Sequence, residues 1–164
     1  MIQWLSQLSD ISGLAISSPA TGLIKPLVEH PDPIYSSNIL PQAICIKLQQ
    51  GLLYAPFNCQ YSSHLFCGRR LRFKHQNGLS LQLDLPQLTL EEANHTIKQL
   101  VSNNSQVKAG QPIVRLDLQH FAHSASTYAV LMLLPHPAVT AVFSSERHVD
   151  AVKDNVMIIQ IKSK

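Results

Sequence analysis

The 164-residue sequence predicts an all-β chain, a compact β-sandwich or barrel, on three observations. Short runs rich in β-branched and large apolar residues recur from Leu14 onward, and several alternate apolar with polar. Clusters of Gly, Pro and Asn punctuate them. Long helical patterns are scarce, so such dense strands have only each other to pack against.

In chain order, the opening "MIQWLSQLSDIS" places Ile2, Trp4, Leu5, Leu8 and Ile11 at roughly helical spacing. Residues 1–13 are therefore expected to be a tail or short amphipathic helix outside the domain, which spans 14–164. Removing residues 1–12 should cost little stability. A membrane-surface anchor would carry Lys or Arg on its polar face, and none occurs before Lys25. Strands are then expected at "GLIKPLV", "AICIKLQ", "GLLYAPF", "RLRFKH", "LSLQLDL", "PIVRLDL", "AVLMLLP" and "VMIIQIK". Turns fall at Pro19–Gly22, Pro31–Pro33, Gln76–Gly78, Asn103–Ser105 and Ala109–Pro112. "EEANHTIKQLVSN" is helical by propensity, yet its "HTIKQLV" suits a strand. "LDLQHFAHSAS" has room for one or two helical turns, so at most one or two short helices are expected.

Composition narrows the function classes. The chain is 45% hydrophobic and 14% charged, which favours a compact fold over disorder. The net charge is only +3 and, apart from Arg69, Arg70, Arg72 and Lys74, the basic residues are scattered, so no nucleic-acid partner is expected. No apolar stretch approaches the ~18 residues of a membrane span, and the opening lacks a signal-peptide pattern. Cys45, Cys59 and Cys67 are odd in number without CxxC spacing, which fits a reduced cytoplasmic protein. His120 and His123 share a spacing that could serve a metal, but no third or fourth ligand accompanies them, and no metal or cofactor is expected. His136, between two prolines, reads as a turn residue. GxSxG, HExxH and GxGxxG motifs are absent.

Four stretches carry a more specific signal. "SPATGLIKPLVEHPDPIYS" resembles "APLSGxIVxIxxVPDxVF", "LLYAPFN" resembles "MVAPVDG", "NGLSLQLDL" resembles "SGVELFVHFGID", and "VKAGQPIVRLDL" resembles "VKxGDxxIxxDL". These patterns belong to the glucose-type enzyme IIA domain of the bacterial phosphotransferase system, and the resemblance runs from about Ile16 to Lys162. It implies a compact antiparallel, barrel-sandwich-like β-sandwich with a shallow apolar active-site face. It also implies two histidines fifteen residues apart. One takes a phosphoryl group from the histidine phosphocarrier protein and passes it to a sugar permease domain, and the other supports it.

The positions that match these histidines are Arg69 and Asp84. A guanidinium stays protonated and has no lone pair to attack phosphorus, so no catalytic residue is expected here. The rim differs too: "PQA" (Pro41–Ala43) stands for the family's "GDG", and "DLPQL" (Asp84–Leu88) for "HFGID". The resemblance then implies a degenerate, regulatory enzyme IIA-like protein that binds other proteins: phosphotransferase-system components, a transporter or a regulated enzyme. An Arg69–Asp84 ion pair across adjacent strands is expected, with Arg70 or Arg72 at the rim. The expected partner-binding residues are Leu65, Arg69, Arg70, Leu71, Arg72 and Asp84, facing an acidic partner. The rival reading is an active phosphocarrier that uses His64 or His75. Both are expected to lie away from the supporting strand position. A swinging-arm carrier on Lys47 or Lys108 lacks the flanking residues such lysines need.

Overall fold

The computed structural model describes residues 1–37, 39–40, 42–64, 69–121 and 127–163. Among them the chain is predominantly strand, with three short α-helices and one 3-10 turn at Leu27–Glu29. The strands are β1 (Ile2–Trp4), β2 (Leu14–Ser17), β3 (Gly22–Pro26), β4 (Ala43–Leu48), β5 (Leu52–Tyr54), β6 (Cys59–His64), β7 (Arg70–Lys74), β8 (Ser80–Asp84), β9 (Ile97–Gln99), β10 (Ser105–Val107), β11 (Pro112–Leu116), β12 (Tyr128–Leu133), β13 (Val139–Ser144), β14 (His148–Val149) and β15 (Asn155–Ile161). The helices are α1 (Pro33–Ser36), α2 (Leu90–Thr96) and α3 (Leu118–Phe121). A strand falls on each of the eight runs read as one, the short α-helices number three among the described residues where at most two were expected, and the all-β sandwich is the fold observed.

An eight-stranded sheet, ordered β10-β6-β7-β8-β12-β4-β3-β14, forms the site-bearing layer. A four-stranded sheet (β1-β13-β15-β2) and a three-stranded one (β5-β11-β9) accompany it. Period-2 alternation sends Leu71, Phe73, Leu81, Leu83 and Leu131 from the large sheet into the main core with Leu53, Ile113 and Ile159. On β4 and β12 the opposite face is covered too. Cys45, Val130 and Met132 meet Leu27 and Tyr35 in a second, smaller apolar cluster. Strands covered on both faces read as continuous apolar runs, which is why "AICIKL" and "YAVLML" do not alternate.

Gly22 is required where β3 meets β4, because a Cβ there would collide with the Lys47 carbonyl oxygen. Gly78 turns the β7–β8 hairpin at φ 94°, a left-handed value that glycine adopts freely. The ambiguous segment divides: Thr89 and Glu92 form a reciprocal capping box that starts α2, and the chain passes into β9 at Ile97.

The expected tail or helix at the N-terminus is a strand. β1 lies parallel to β13, with Ile2 opposite Val142 and Trp4 opposite Ser144, and Leu5 N donates to Ser144 O at 2.9 Å. Ile2 and Leu8 are buried and Trp4 packs on the core. The apolar residues at 2 and 4 follow a strand period, and the spacing of 4, 8 and 11 imitated a helix. Deleting residues 1–12 should thus lower the melting midpoint by more than about 5 °C, measured by thermal circular dichroism.

Candidate functional site

The hairpin of β7 and β8 sets the site by register. Arg70 lies opposite Asp84, Arg72 opposite Gln82 and Lys74 opposite Ser80. On the other side of β7, His64 lies opposite Arg70 and Ser62 opposite Arg72. Leucines fill the inner face, so these polar residues share the outer one.

Asp84 is 2% exposed and is surrounded by donors. Arg70 grips it with two bonds, Nε to Oδ1 at 2.8 Å and a terminal nitrogen to Oδ2 at 3.1 Å. The Tyr35 hydroxyl donates to Oδ2 at 2.9 Å, and Gln82 Nε2 donates to Oδ1 at 3.2 Å. Arg72 Nε in turn donates to Gln82 Oε1 at 3.2 Å. Tyr35 is positioned by α1, whose start is fixed by Pro33 in the first turn and by the Asp32 carboxylate accepting from Ile34 N at 2.9 Å. Gln87 Nε2 donates to Asp32 at 2.9 Å and ties this cap to the segment that leaves β8. The His30 ring packs on Tyr35 with centroids 4.6 Å apart.

Electrostatics follow burial. Desolvation, reinforced by the neighbouring Asp84 carboxylate, pushes the Tyr35 phenol up to about 12. The hydrogen bond to Asp84 raises the Arg70 guanidinium above its ordinary value. Burial lowers the His30 imidazole below its ordinary value. Burial also pushes the Cys45 and Cys59 thiols up to about 12, so neither supplies a thiolate nucleophile at neutral pH.

The expected Arg69–Asp84 ion pair is replaced by Arg70–Asp84. The register places Arg70 directly across from Asp84, and neighbouring residues on a strand point to opposite faces. Arg69 still reaches the cluster: Nε donates to the Leu85 carbonyl at 3.2 Å, and a terminal nitrogen to the Tyr35 oxygen at 3.5 Å. Leu71, expected to meet a partner, is fully buried in the core. Leu65, Cys67 and His123 lie outside the described residues. Arg72 is exposed.

β7 stands between His64 and Asp84, so His64 is not beside the supporting strand position. It is exposed, sits across from Arg70, and its Nε2 lies 2.8 Å from Ser62 Oγ. His75 accepts from Asn77 N at 3.2 Å in the hairpin turn and packs edge-on against Phe57. His136 likewise accepts from Ala138 N at 3.2 Å, in the turn foreseen for it. His120 is solvated and approaches Glu92 at 4.0 Å. Among the described residues no three His, Cys, Asp or Glu side chains group as metal ligands. Two members of the cluster escaped sequence reasoning. Gln82 was legible in the alternation with Asp84, whereas nothing local marks Tyr35, 49 residues before its partner.

Comparison with known proteins decides the family. The pattern described as phosphoenolpyruvate-dependent sugar phosphotransferase system, EIIA 1, matches residues 14–138. The chain belongs to that family. The glucose-specific EIIA component from Bacillus anthracis is 20% identical over 149 residues, covering 91% of this chain and 90% of that protein. The Staphylococcus aureus component is 24% identical over 114 residues, covering 70% of this chain and 69% of that protein. A glucoside-specific EIICBA component from Staphylococcus carnosus is 26% identical over 113 residues, 69% of this chain but 16% of that much longer protein. The solved glucose permease IIA from Mycoplasma capricolum superposes with a TM-score of 0.76 at 17% identity, covering 90% of this chain and 96% of that one. The EIIA fold is thus shared over most of the chain. Among the described residues no helix is long and apolar enough to cross a membrane.

Two outcomes test the cluster. Arg70→Ala should destabilise by about 2–4 kcal/mol, since it strands a buried carboxylate beside a partly exposed partner, while Arg69→Ala should cost under about 1 kcal/mol. Denaturant unfolding at neutral pH reads both. The second concerns alkali. Tyr35 ionises near 12 when folded and at its ordinary value of 10.0 when unfolded. Its contribution is therefore complete below pH 10 and lost as pH rises toward 12. Tyr35→Phe should flatten the fall in stability across that window, with Tyr61 and the Cys45 and Cys59 thiols, all pushed up to about 12 by burial, supplying the remainder.

Proposed function

We propose that this EIIA-family chain is a degenerate, regulatory member that binds partner proteins in the cytoplasm and transfers no phosphoryl group. The observation that carries this reading is the state of Asp84, a buried carboxylate whose two oxygens accept four hydrogen bonds among the described residues. At the position the sequence resemblance assigns to the supporting histidine, this carboxylate is engaged on both oxygens and covered by Tyr35. At the position assigned to the phosphoryl acceptor stands Arg69, which offers no nucleophile.

What remains at this face suits binding. Arg72 is exposed, Arg70 and Arg69 are partly exposed, and Ile34 on α1 is 63% exposed beside Tyr35. A protein partner would meet cations with an apolar neighbour, and should itself be acidic there. The relatives' names, glucose-specific and glucoside-specific EIIA components, point to phosphotransferase-system proteins or a sugar transporter as the setting.

One observation favours a second reading. His64 is exposed and lies across from Arg70. An imidazole beside a guanidinium could accept a phosphoryl group, with the cation balancing the added charge. Incubation with phosphoenolpyruvate, enzyme I and the histidine phosphocarrier protein, read by intact mass, separates the two. The degenerate reading expects no gain in mass. A stoichiometric gain of one phosphoryl group, lost in His64→Gln or His75→Gln, installs the second.

A further inference from the structure

At one end the large sheet stops between two prolines. Pro26 closes β3 and Pro135 follows β12, and neither has an N–H to extend the ladder. β4 begins beside them, where Leu133 N still donates to the Gln42 carbonyl at 2.8 Å. Beyond that bond β1 and the start of β13 face the end of the sheet across a cavity of about 610 Å³. Leu27, Leu40 and Leu134 of the smaller apolar cluster line one part of it, and Ile2, Trp4 and Val139 of the main core another. Exposed Met1 and Val28 stand at its mouth. None of these residues belongs to the Asp84 network, and Met1, Ile2 and Trp4 precede the span 14–138 that matches the family.

No lining side chain carries a permanent charge. Lys25, next to Pro26 on β3, is already paired with Glu29 at 3.5 Å and Glu146 at 3.8 Å. Besides the Trp4 indole, the polar side chains that line the cavity are His136 and Gln42. His136 Nδ1 accepts from Ala138 N at 3.2 Å, so this ring is held in its turn. Gln42 differs. Its amide oxygen is buried and has no hydrogen-bond donor. An acceptor in that state has lost water and gained nothing in return. A trapped water would not repair this, because it needs about two to four polar partners and apolar walls supply none. The Gln42 side chain is only half-buried, so it is free to turn its oxygen to the cavity when a donor arrives there.

We propose that this cavity binds a neutral, largely apolar small molecule whose hydroxyl donates to the Gln42 amide oxygen. Its volume falls within the roughly 300–1,000 Å³ of pockets that hold small ligands, and apolar walls with one placed polar group are the usual makeup of such pockets. Leucine, valine and proline walls take up an apolar body, and the Trp4 ring adds a broad flat surface. A carboxylate or phosphate headgroup would be stripped of water here with no lining cation to pair it, which selects a neutral ligand. The hydroxyl supplies the donor that Gln42 lacks. A bound ligand would also join Leu27 and Leu40 to Ile2 and Trp4 on β1, so it ties the N-terminal strand to the segment over the second cluster. The site uses none of Arg69, Arg70 and Arg72 and is independent of the proposed function.

Trp4 is the only tryptophan in the chain, so its fluorescence reports on the cavity. The probes are cyclododecanol, its methyl ether and cyclododecanecarboxylate, which do not absorb where tryptophan is excited. Each is titrated into the full chain at neutral pH. The alcohol should shift Trp4 emission saturably and bind at least about 10-fold more tightly than the ether or the carboxylate. Gln42→Leu, with an unchanged melting midpoint, should bring alcohol and ether to within about 2-fold of each other. Val139→Phe, which adds a ring to the cavity wall, should weaken the alcohol at least about 10-fold. Equal binding of alcohol and ether, or a preference that survives Gln42→Leu, overturns the proposal. So does alcohol binding detected by calorimetry that leaves Trp4 emission unchanged, because the ligand then sits elsewhere. A carboxylate that binds as tightly as the alcohol overturns the neutral class, and no binding by any of the three overturns the site.

Discussion

The outer face of the large sheet is organised by one buried carboxylate. Asp84 cannot be hydrated where it sits, and an unpaired charge there would cost several kcal/mol. Arg70, Tyr35 and Gln82 remove that penalty together, and each brings a structural element with it. Arg70 fixes the register of the hairpin, Tyr35 draws α1 down onto the sheet, and Gln82 couples the pair to Arg72 at the solvent edge. With the carboxylate replaced by a neutral group, Arg70 would lose its counter-charge, and Tyr35 would lose the acceptor that holds its hydroxyl.

The sheet beneath tolerates this polar layer because it divides its burial unevenly. β4 and β12 are apolar on both faces and anchor the second cluster with Leu27 and Tyr35. β7 is apolar only inward and carries arginines outward. The covering segment, residues 27–37, thus spans an apolar seat at one end and a charged one at the other. Cys45 belongs to the apolar seat, with its thiol donating to the Lys25 and Pro26 carbonyls, and its burial keeps it neutral.

Much of this was legible in the sequence. "RLRFKH" and "LSLQLDL" were legible as strands, and the turn residues located the hairpin between them. The resemblance identified the family, which the match over residues 14–138 then showed. What could not be read was pairing across distance. A shift of one residue decides whether Arg69 or Arg70 meets Asp84, and fifteen-residue spacing does not settle a register. That His64 faces Arg70 could not be read for the same reason, since six positions along the chain can be one strand across a sheet. The N-terminal strand was hidden because three residues are too few to separate a period of two from one of 3.6, and its partner β13 lies far along the sequence.

The Asp84 network also has an order in time. Arg70 and Asp84 are fourteen residues apart and meet when one hairpin closes, whereas Tyr35 must return from 49 residues away. Closing the longer loop costs more chain entropy, and it has no acceptor to dock against until the hairpin exists. The ion pair therefore precedes the Tyr35–Asp84 bond in folding. On the reverse path residues 27–37 leave before the hairpin opens, which uncovers Val130 and Met132 while the hairpin is still intact. The species most exposed to misassociation is then a nearly native one, with its arginines in place and its smaller apolar cluster open to solvent.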